Sequence, residues 1–340
     1  HLAEYLSRNN YQVTVIADQR SEDGVEEIAF DKDLSFRVKR IKRYKLRLIM
    51  YIKRILTTLR QVRKTKVVIA TGKFSLWNVA FSSCFFKRRS IAIVHGTEVN
   101  FKTLLVKKSI DIALKSFDKI VAVSNYTKGL MSHLSLDIKI IPNGIELSSW
   151  QIENELSIEL TGDPALTTVG RVSSRKGQLN VIKHLPELKR HYPNIHYHCV
   201  GIPAESEVFI KEAQTLGVQD HLSFHGSVET DRLRQLLRQT DIFVMLSEES
   251  KSGDVEGFGI AILEANALGV PAIGSMGCGI EDAIDSGSSG ELVKANDAQA
   301  FLDRLRRILN NKENYRSEAL NWATKHDWSN IVQHYIALIE

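Results

Sequence analysis

Residues 165–177 read Ala-Leu-Thr-Thr-Val-Gly-Arg-Val-Ser-Ser-Arg-Lys-Gly, and this stretch decides the fold. The run Ala165–Val169 is rich in apolar and β-branched residues, which predicts a buried strand. The glycine and the basic residues after it predict a loop, and the apolar spacing of residues 177–192 predicts a helix. A strand, a loop and a helix in this order are the repeating unit of a parallel sheet.

The same alternation extends in both directions along the chain. Strands are predicted at residues 13–17, 67–70, 91–94, 119–123 and 139–141, and again at 165–169, 196–200, 222–224, 242–246, 271–274 and 291–293. Helices are predicted at residues 177–192, 208–216, 231–239, 259–268 and 298–310. The pattern predicts an α/β protein with two Rossmann-like, doubly wound sheets whose carboxyl ends face a cleft.

A length of 340 residues also fits two domains of roughly 150 residues each. We place the first domain at residues 1–150 and the second at 151–325, with the linker inside residues 142–162. Residues 326–340 form a tail with helical spacing. Residues 1–10 predict the end of a helix that leads into a strand, so we expect a first strand and its loop to precede residue 1.

Charge is divided unequally between the two halves. Residues 1–150 carry 27 Lys and Arg against 13 Asp and Glu, whereas the remainder carries 18 against 27. The net charges are therefore +14 and −9, within a total of +5. A basic half implies an anionic partner: a nucleic acid, an acidic membrane surface or a phosphorylated substrate.

The basic residues are densest between Lys32 and Lys66, where 14 Lys and Arg stand beside the single acid Asp33. Apolar residues repeat there at helical spacing: Leu46, Ile49, Ile52, Ile55, Leu56, Leu59 and Val62. One interpretation is a helix that packs on a core with its basic face in water. The other is an interfacial helix on an anionic membrane surface.

Cys84, Cys199 and Cys278 are too few and too far apart to predict a disulfide framework or a metal site. No apolar run reaches the roughly 18–20 residues of a spanning helix, and no signal peptide is recognised. We expect a cytoplasmic protein, with peripheral attachment to the inner face of the plasma membrane as the extension of the second interpretation.

The strongest local signal for chemistry is Glu256-Gly257-Phe258-Gly259-Ile260, followed by Glu264. Glycines let the backbone approach a ligand closely, and the N–H groups of Phe258, Gly259 and Ile260 would point out of a helix start. A diphosphate fits such a place, and Glu264 could accept hydrogen bonds from a ribose. The alternative is that Glu256 only favours the helix dipole and Glu264 is a surface charge.

Two further signals follow predicted strands. Arg171 and Lys176 lie after the first strand of the second domain, where they could neutralise a diphosphate, although a solvated basic loop is the alternative. His95 follows a strand of the first domain and would face the cleft, unless it is a hydrogen-bonded structural histidine.

The chain resembles the large retaining glycosyltransferase family with the GT-B fold, which includes sucrose synthase-like and phosphatidylinositol mannosyltransferase-like enzymes. The resemblance covers essentially the whole sequence. Its landmarks are His95-Gly96, Val123-Ser124, Ile141-Pro142-Asn143-Gly144, Gly170-Arg171, Lys176-Gly177, Val200-Gly201, His225-Gly226, Asp241-Ile242-Phe243-Val244, Glu256 to Glu264, Gly269-Val270-Pro271 and residues 287–293. The form Gly-Asp-Val-Glu-Gly-Phe-Gly resembles the phosphatidylinositol mannosyltransferase branch.

The resemblance implies the role of each site residue. Arg171 and Lys176 match the pair that grips the donor diphosphate, and Glu264 matches the carboxylate that binds the donor ribose. Glu256 matches a catalytic carboxylate near the transferred sugar, and His95 matches a donor-sugar contact from the acceptor domain. The tail resembles a helix that crosses back onto the first domain. The family's Gly-rich loop after its first strand is missing from this sequence.

The predicted reaction moves a sugar from GDP-mannose or a UDP-sugar to an acceptor hydroxyl of a glycan or a lipid-linked molecule, with retention. Its setting would be the synthesis of cell-surface polysaccharide or glycolipid. No Asp-x-Asp pair lies among the donor-site motifs, since the one at Asp31-Lys32-Asp33 belongs to the basic stretch of the first half. We therefore expect neither a metal nor another cofactor, and no nucleic-acid partner. The alternatives are a GT-B sugar-nucleotide epimerase and a non-enzymatic protein that binds membranes or nucleic acid. A Rossmann oxidoreductase is disfavoured because no Gly-x-Gly-x-x-Gly opens either domain.

Overall fold

A computed structural model describes residues 1–151, 159–250 and 253–340, which form two α/β halves. Part of the predicted linker and part of the loop before Glu256 lie outside the described residues. The elements of the first half are α1 (Leu2–Arg8), β1 (Thr14–Asp18), α2 (Val25–Lys32), β2 (Arg37–Ile41), α3 (Arg47–Val62), β3 (Val67–Thr71), α4 (Lys73–Ser83), β4 (Arg89–Val94), α5 (Leu104–Leu114), β5 (Lys119–Ala122), α6 (Asn125–Gly129) and β6 (Ile138–Ile140).

The second half repeats the alternation of strands and helices. Its elements are β7 (Ala165–Val169), α7 (Gln178–His191), β8 (His196–Val200), α8 (Ser206–Thr215), β9 (Leu222–Gly226), α9 (Thr230–Arg238), β10 (Ile242–Met245), α10 (Ile260–Asn266), β11 (Ala272–Ser275), β12 (Gly290–Val293), α11 (Ala298–Asn310), α12 (Lys312–Lys325) and α13 (Trp328–Ile339). The sequence pattern did not indicate β2 or α12. Strand β2 lies inside the basic run, and α12 buries only Tyr315, Ala319 and Ala323.

Strand order confirms the predicted α/β fold class. The second half contains one parallel sheet in the order β12-β11-β10-β7-β8-β9. Sequence order reverses between β7 and β10, which makes their carboxyl ends a topological switch point, the usual place for a ligand in such sheets. The residues after these two strands are those that the sequence singled out.

The first half contains a parallel sheet in the order β3-β4-β5-β6 and a separate parallel pair, β1-β2. His95 follows β4 in the middle of the larger sheet. The expectation that a first strand precedes residue 1 stays a prediction.

The final helix, α13, packs on α1 at the other end of the chain. The Trp328 ring stacks on His1 with centroids 6.0 Å apart and lies 6.3 Å from the Tyr5 ring. Two backbone hydrogen bonds fix the crossing, because Ile145 N donates to His326 O and Trp328 N donates to Ile145 O, both at 2.9 Å. One apolar cluster runs from Tyr5 through Trp328 to residues of α10, so the tail fastens the first half to the core below the cleft.

Helix α3 buries its apolar stripe only in part, since Val62 is buried and Ile55 and Leu59 are half-buried, while the other stripe residues are exposed. Leu46 and the α3 residues Ile49, Ile52 and Leu56 are 67%, 39%, 48% and 45% exposed. The buried positions of α3 are Arg54, Thr58 and Val62, so only one residue of the stripe is fully buried. Arg54 forms an ion pair with Asp18, so this one basic side chain belongs to the interior and not to a solvated face.

Candidate active site

Two cations and a carboxylate meet at the switch point between β7 and β10. The Lys176 ammonium donates to Glu256 Oε2 at 2.6 Å, and Arg175 Nη1 donates to the same oxygen at 2.9 Å. Lys176 and Glu256 are 16% and 14% exposed, which shields the pair from water and strengthens its attraction. Two ion pairs to Glu256 thus link the loop after β7 to the loop after β10.

Backbone packing holds these loops close together. Gly177, with φ +79°, ends the basic loop, and a Cβ there would lie 2.0 Å from Leu246 O at the end of β10. Gly257 lies between the two domains, since a Cβ on it would lie 1.7 Å from His95 O. Any side chain at either position would force the loops apart.

Glu264 lies half-buried in α10, and its carboxylate makes no hydrogen bond to any described residue. Burial raises the pKa of this carboxyl to about 7, while the nearby Lys176 charge opposes the shift. A buried carboxyl whose pKa is raised to near neutral, and which no described side chain compensates by a hydrogen bond, is a candidate for ligand binding.

The start of α10 presents backbone donors to the same place. Phe258 is buried, only 2% exposed, so its side chain anchors the turn and does not reach the cleft. Within the described part of the chain, no acceptor contacts the N–H groups of Phe258, Gly259 or Ile260. These three donors are therefore available to an anion at the mouth of the cleft.

His95 brings the first domain to this site through its ring and its backbone. Its Nε2 lies 3.0 Å from Thr71 Oγ1 at the end of β3, and its backbone N–H donates to Glu98 Oε2 at 3.1 Å. Its carbonyl oxygen faces Gly257 of the second domain. The histidine is thus fixed beside the Glu256 segment, as expected for a residue that faces the cleft.

Polar contacts cross the cleft on either side of His95. Thr97 Oγ1 donates to Asp254 Oδ1 at 2.9 Å, and Asp254 Oδ2 lies 3.1 Å from Arg175 Nε. On the other side, Asn125 N donates to both carboxylate oxygens of Asp282 at 3.0 Å, and its side-chain amide donates to Oδ1 at 2.6 Å. Thr97 of the first domain is therefore linked to Arg175 of the second domain through the Asp254 carboxylate.

The structure assigns contacts differently from the sequence prediction at one position. The Arg171 side chain is exposed and pairs with no carboxylate among the described residues, and only its carbonyl is held, by Gln178 Nε2 at 3.1 Å. Arg175 occupies the place beside Glu256. Sequence reasoning gave no role to Arg175 or Asp254, although both stand inside the motifs that it quoted.

A second feature of this edge is a cavity of about 310 Å³ beside the loop after β10. It is lined by residues that follow three neighbouring strands: 247–249, 276–278 and 294–296. No group of three or more His, Cys, Asp or Glu among the described residues is arranged to hold a metal ion. The expectation of a metal-free site stays a prediction.

Comparisons with known proteins follow the same division of the chain. Residues 152–325, just over half of the sequence, match the family of glycosyl transferases group 1. The chain belongs to this family. Residues 1–149 match glycosyltransferase family 4.

Relatives and solved structures agree with that assignment. The chain is 28% identical over 253 residues to a GDP-mannose-dependent alpha-(1-6)-phosphatidylinositol monomannoside mannosyltransferase of Mycolicibacterium smegmatis, a match that covers 70% of this chain and 65% of that protein. The matched region thus spans just under two thirds of that relative. The fold is similar to Anabaena Alr3699/HepE in complex with UDP and glucose, with a TM-score of 0.76, 16% identity and coverage of 99% and 94%. It is also similar to a glycosyltransferase from Rickettsia africae, with a TM-score of 0.78, 19% identity and coverage of 99% and 92%.

The GT-B architecture predicted from the sequence is confirmed by these structures. Across the described residues, none of the helices is both long enough and apolar enough to traverse a bilayer.

Proposed function

We propose that this protein transfers a sugar from a nucleotide-sugar donor, GDP-mannose or a UDP-sugar, to an acceptor hydroxyl with retention at the anomeric carbon. One observation carries the proposal: Lys176 and Arg175 meet Glu256 at the switch point, and the backbone N–H groups of residues 258–260, which follow Glu256 closely in the chain, have no acceptor among the described residues. That arrangement suits a diphosphate leaving group, because fixed donors stabilise the negative charge that develops on it.

The cations would act on the leaving group. As the bond between the anomeric carbon and the phosphate oxygen breaks, negative charge grows on the diphosphate. Lys176, the exposed Arg171 and the N–H groups of Phe258, Gly259 and Ile260 would receive that charge, each donor contributing about 3 kcal/mol. We propose that these groups replace a divalent metal and that no other cofactor takes part.

The carboxylates would divide the remaining work. Glu264, ionised above its pKa of about 7, would accept hydrogen bonds from the ribose hydroxyls. Glu256 and His95 would contact the transferred sugar from opposite domains. The acceptor oxygen would attack from the face that the phosphate leaves, and its proton would pass to the departing phosphate oxygen, which balances the transfer.

For the acceptor we propose a glycan or a lipid-linked molecule, in the synthesis of cell-surface polysaccharide or glycolipid. The mycobacterial relative acts on a phosphatidylinositol monomannoside, as its name states. The exposed apolar residues of α3, flanked by basic ones, support peripheral attachment to the inner face of the plasma membrane. We propose no nucleic-acid partner.

A donor screen tests this function. Melting shifts are measured with UDP, GDP, ADP and their sugars, and nucleotide release is then followed with and without an acceptor. We expect one nucleotide to stabilise the fold, release to require an acceptor, and activity to survive EDTA. Epimerised donor without acceptor-dependent release would favour the epimerase, and complete loss on chelation, restored by magnesium or manganese, would overturn the metal-free site.

A further inference from the structure

A basic cavity lies on the side of the first domain that faces away from the cleft. It has a volume of about 390 Å³ and opens where β3 and β4 begin, whereas His95 follows the opposite end of β4. Two short segments line it, residues 63–66 and residues 87–89. Six of the seven lining residues are Lys or Arg, the seventh is Thr65, and none is acidic.

Among the described residues, these six charges have no partner of opposite sign. No described carboxylate lies within ion-pair distance of any of them, although ion pairs are common elsewhere in the described chain. Six like charges around one cavity repel one another, most strongly at low salt. Such a cluster is stabilised when an anion of matching charge occupies the space between its members.

Capping of helix ends explains two of the six basic residues, Arg88 and Arg89. Arg88 donates to Val62 O at 3.1 Å and to Arg63 O at 3.0 Å, which satisfies carbonyls at the end of α3. Arg89 donates to Ile339 O at 3.0 Å near the end of α13. Cations are favoured at such helix ends. The side chains of Arg63, Lys64, Lys66 and Lys87 donate to no described residue, so helix capping does not explain them.

We propose that this cavity binds a phosphate-bearing anion with at least two negative charges, either free diphosphate or a phosphomonoester headgroup of a lipid. Phosphate oxygens accept hydrogen bonds from guanidinium and ammonium groups together, which matches this lining. The six basic side chains are exposed, so an anion reaches them directly from solvent. The site is distinct from the donor site, because it lies at the other edge of the sheet and in the other domain.

Two exposed phenylalanines close to the cavity in the sequence support a lipid headgroup as one source of the bound phosphate. Phe81 and Phe85, 47% and 61% exposed, pair edge to face with centroids 5.3 Å apart, just before the second lining segment. Phenylalanine side chains next to Lys and Arg are typical of surfaces that lie in a membrane interface.

The test compares a cavity variant with a matched surface variant. Lys64→Gln/Lys66→Gln/Lys87→Gln removes three cavity charges, and Lys108→Gln/Lys115→Gln/Lys139→Gln removes three exposed lysines of the same domain that do not line it. Pyrophosphate is titrated calorimetrically into the wild-type protein and both variants, with sodium chloride at equal ionic strength as the blank. Melting temperature is measured at a hundred times the fitted Kd, where we expect a rise of about 3–5 °C in the wild type.

We expect the cavity variant to lose one pyrophosphate-binding event while the surface variant keeps it, and both to bind nucleoside diphosphate like the wild type. Co-sedimentation with phosphatidic acid vesicles, against phosphatidylcholine vesicles, then identifies the source. Vesicle binding that only the cavity variant loses indicates a lipid headgroup, and pyrophosphate binding without vesicle binding indicates a soluble anion. If the cavity variant matches the wild type in both assays, or the wild type binds neither probe, the proposal is wrong.

Discussion

The charged residues at the cleft are paired with opposite charges, whereas most of those on the surface of the first domain are not. At the cleft, Lys176 and Arg175 are matched to Glu256 within 2.9 Å, and the glycines around them exclude any side chain. On the first domain, the basic residues of α3 and of the cavity stand largely unpaired beside exposed apolar residues. Charges that are compensated within the fold are positioned before a ligand arrives, whereas uncompensated charges depend on a partner.

This difference predicts that substitutions at the cleft act on turnover and that those on the first domain act on binding to a surface. A cleft residue is aligned by several neighbours, so a small displacement reaches the reacting atoms. A surface cation acts through a field that salt screens.

Lys176→Ala should have the largest effect. It removes the ammonium that donates to Glu256 and that would neutralise the donor diphosphate. Turnover should therefore fall by about 10²–10³, and nucleoside diphosphate binding should weaken. Nucleotide release measures turnover, and thermal melting checks the fold. Lys183→Ala, on the exposed face of the following helix, is the matched control. Near-normal turnover in Lys176→Ala would sink the assignment of the cations.

Gly257→Ala should come next, because its Cβ would lie 1.7 Å from His95 O. The segment with Glu256 must then move away from the first domain, and we expect turnover to fall by about 10²-fold. Gly129→Ala is the control, since its Cβ would meet no atom within 4 Å. Equal turnover in the two variants would mean that the close approach of the domains does not matter for transfer.

Glu256 and Glu264 should differ in kinetic signature. Glu256→Ala should mainly lower kcat, because its proposed partner is the reacting sugar. Glu264→Ala should mainly weaken donor binding, by about tenfold, because a ribose contact exists before and during the reaction. Steady-state kinetics with donor titrations separate kcat from KM. The same signature in both variants would contradict the division of roles.

The fold should be more stable without the Glu264 charge. Its pKa is raised from 4.5 to about 7, so the native protein binds this proton more tightly than the unfolded chain. The associated stability is present below pH 4.5 and is lost as pH rises to 7. Glu264→Gln should therefore raise the free energy of unfolding by about 2 kcal/mol at pH 8, and by much less at pH 5.

Urea unfolding at the two pH values measures this, with Glu313→Gln, in the first turn of α12, as the control. A gain of stability that is equal at both pH values would show that burial of the charge is not its cause.

Single charges on the first domain should have the smallest effects. Arg47→Gln or Arg60→Gln on α3 should each weaken binding to phosphatidylglycerol vesicles by about fivefold, the equivalent of about 1 kcal/mol per charge near an anionic surface. Turnover on a water-soluble acceptor should not change. Arg54 is unsuitable for this test, because it is buried against Asp18.

Co-sedimentation at low and high salt measures the binding, and Lys115→Gln is the matched control. If the wild-type protein stays in the supernatant at low salt, the membrane proposal falls and a soluble acceptor should be sought.

Local patterns in the sequence were enough to predict the α/β class, which the fold confirms, and to propose where the site lies. Strand β7, helix α11 and helix α13 lie at the predicted residues, since β-branched runs and helical spacing act over a few neighbours. His95, Arg171, Lys176, Glu256 and Glu264 were predicted as site residues for the same reason: each stands after a strand or near a helix start, where a parallel sheet exposes its ligand edge. Their roles stay predictions.

Tertiary structure alone decided which charges meet. Arg171 and Arg175 are the same residue type and lie in the same segment after β7. Only Arg175 contacts Glu256, which is 81 residues away in the sequence. The stripe of α3 predicts an amphipathic helix under either interpretation, and only the packing of its neighbours leaves Ile52 and Leu56 exposed. Contacts between distant segments depend on the direction in which each loop and helix face is turned, and short-range spacing in a sequence does not encode that direction.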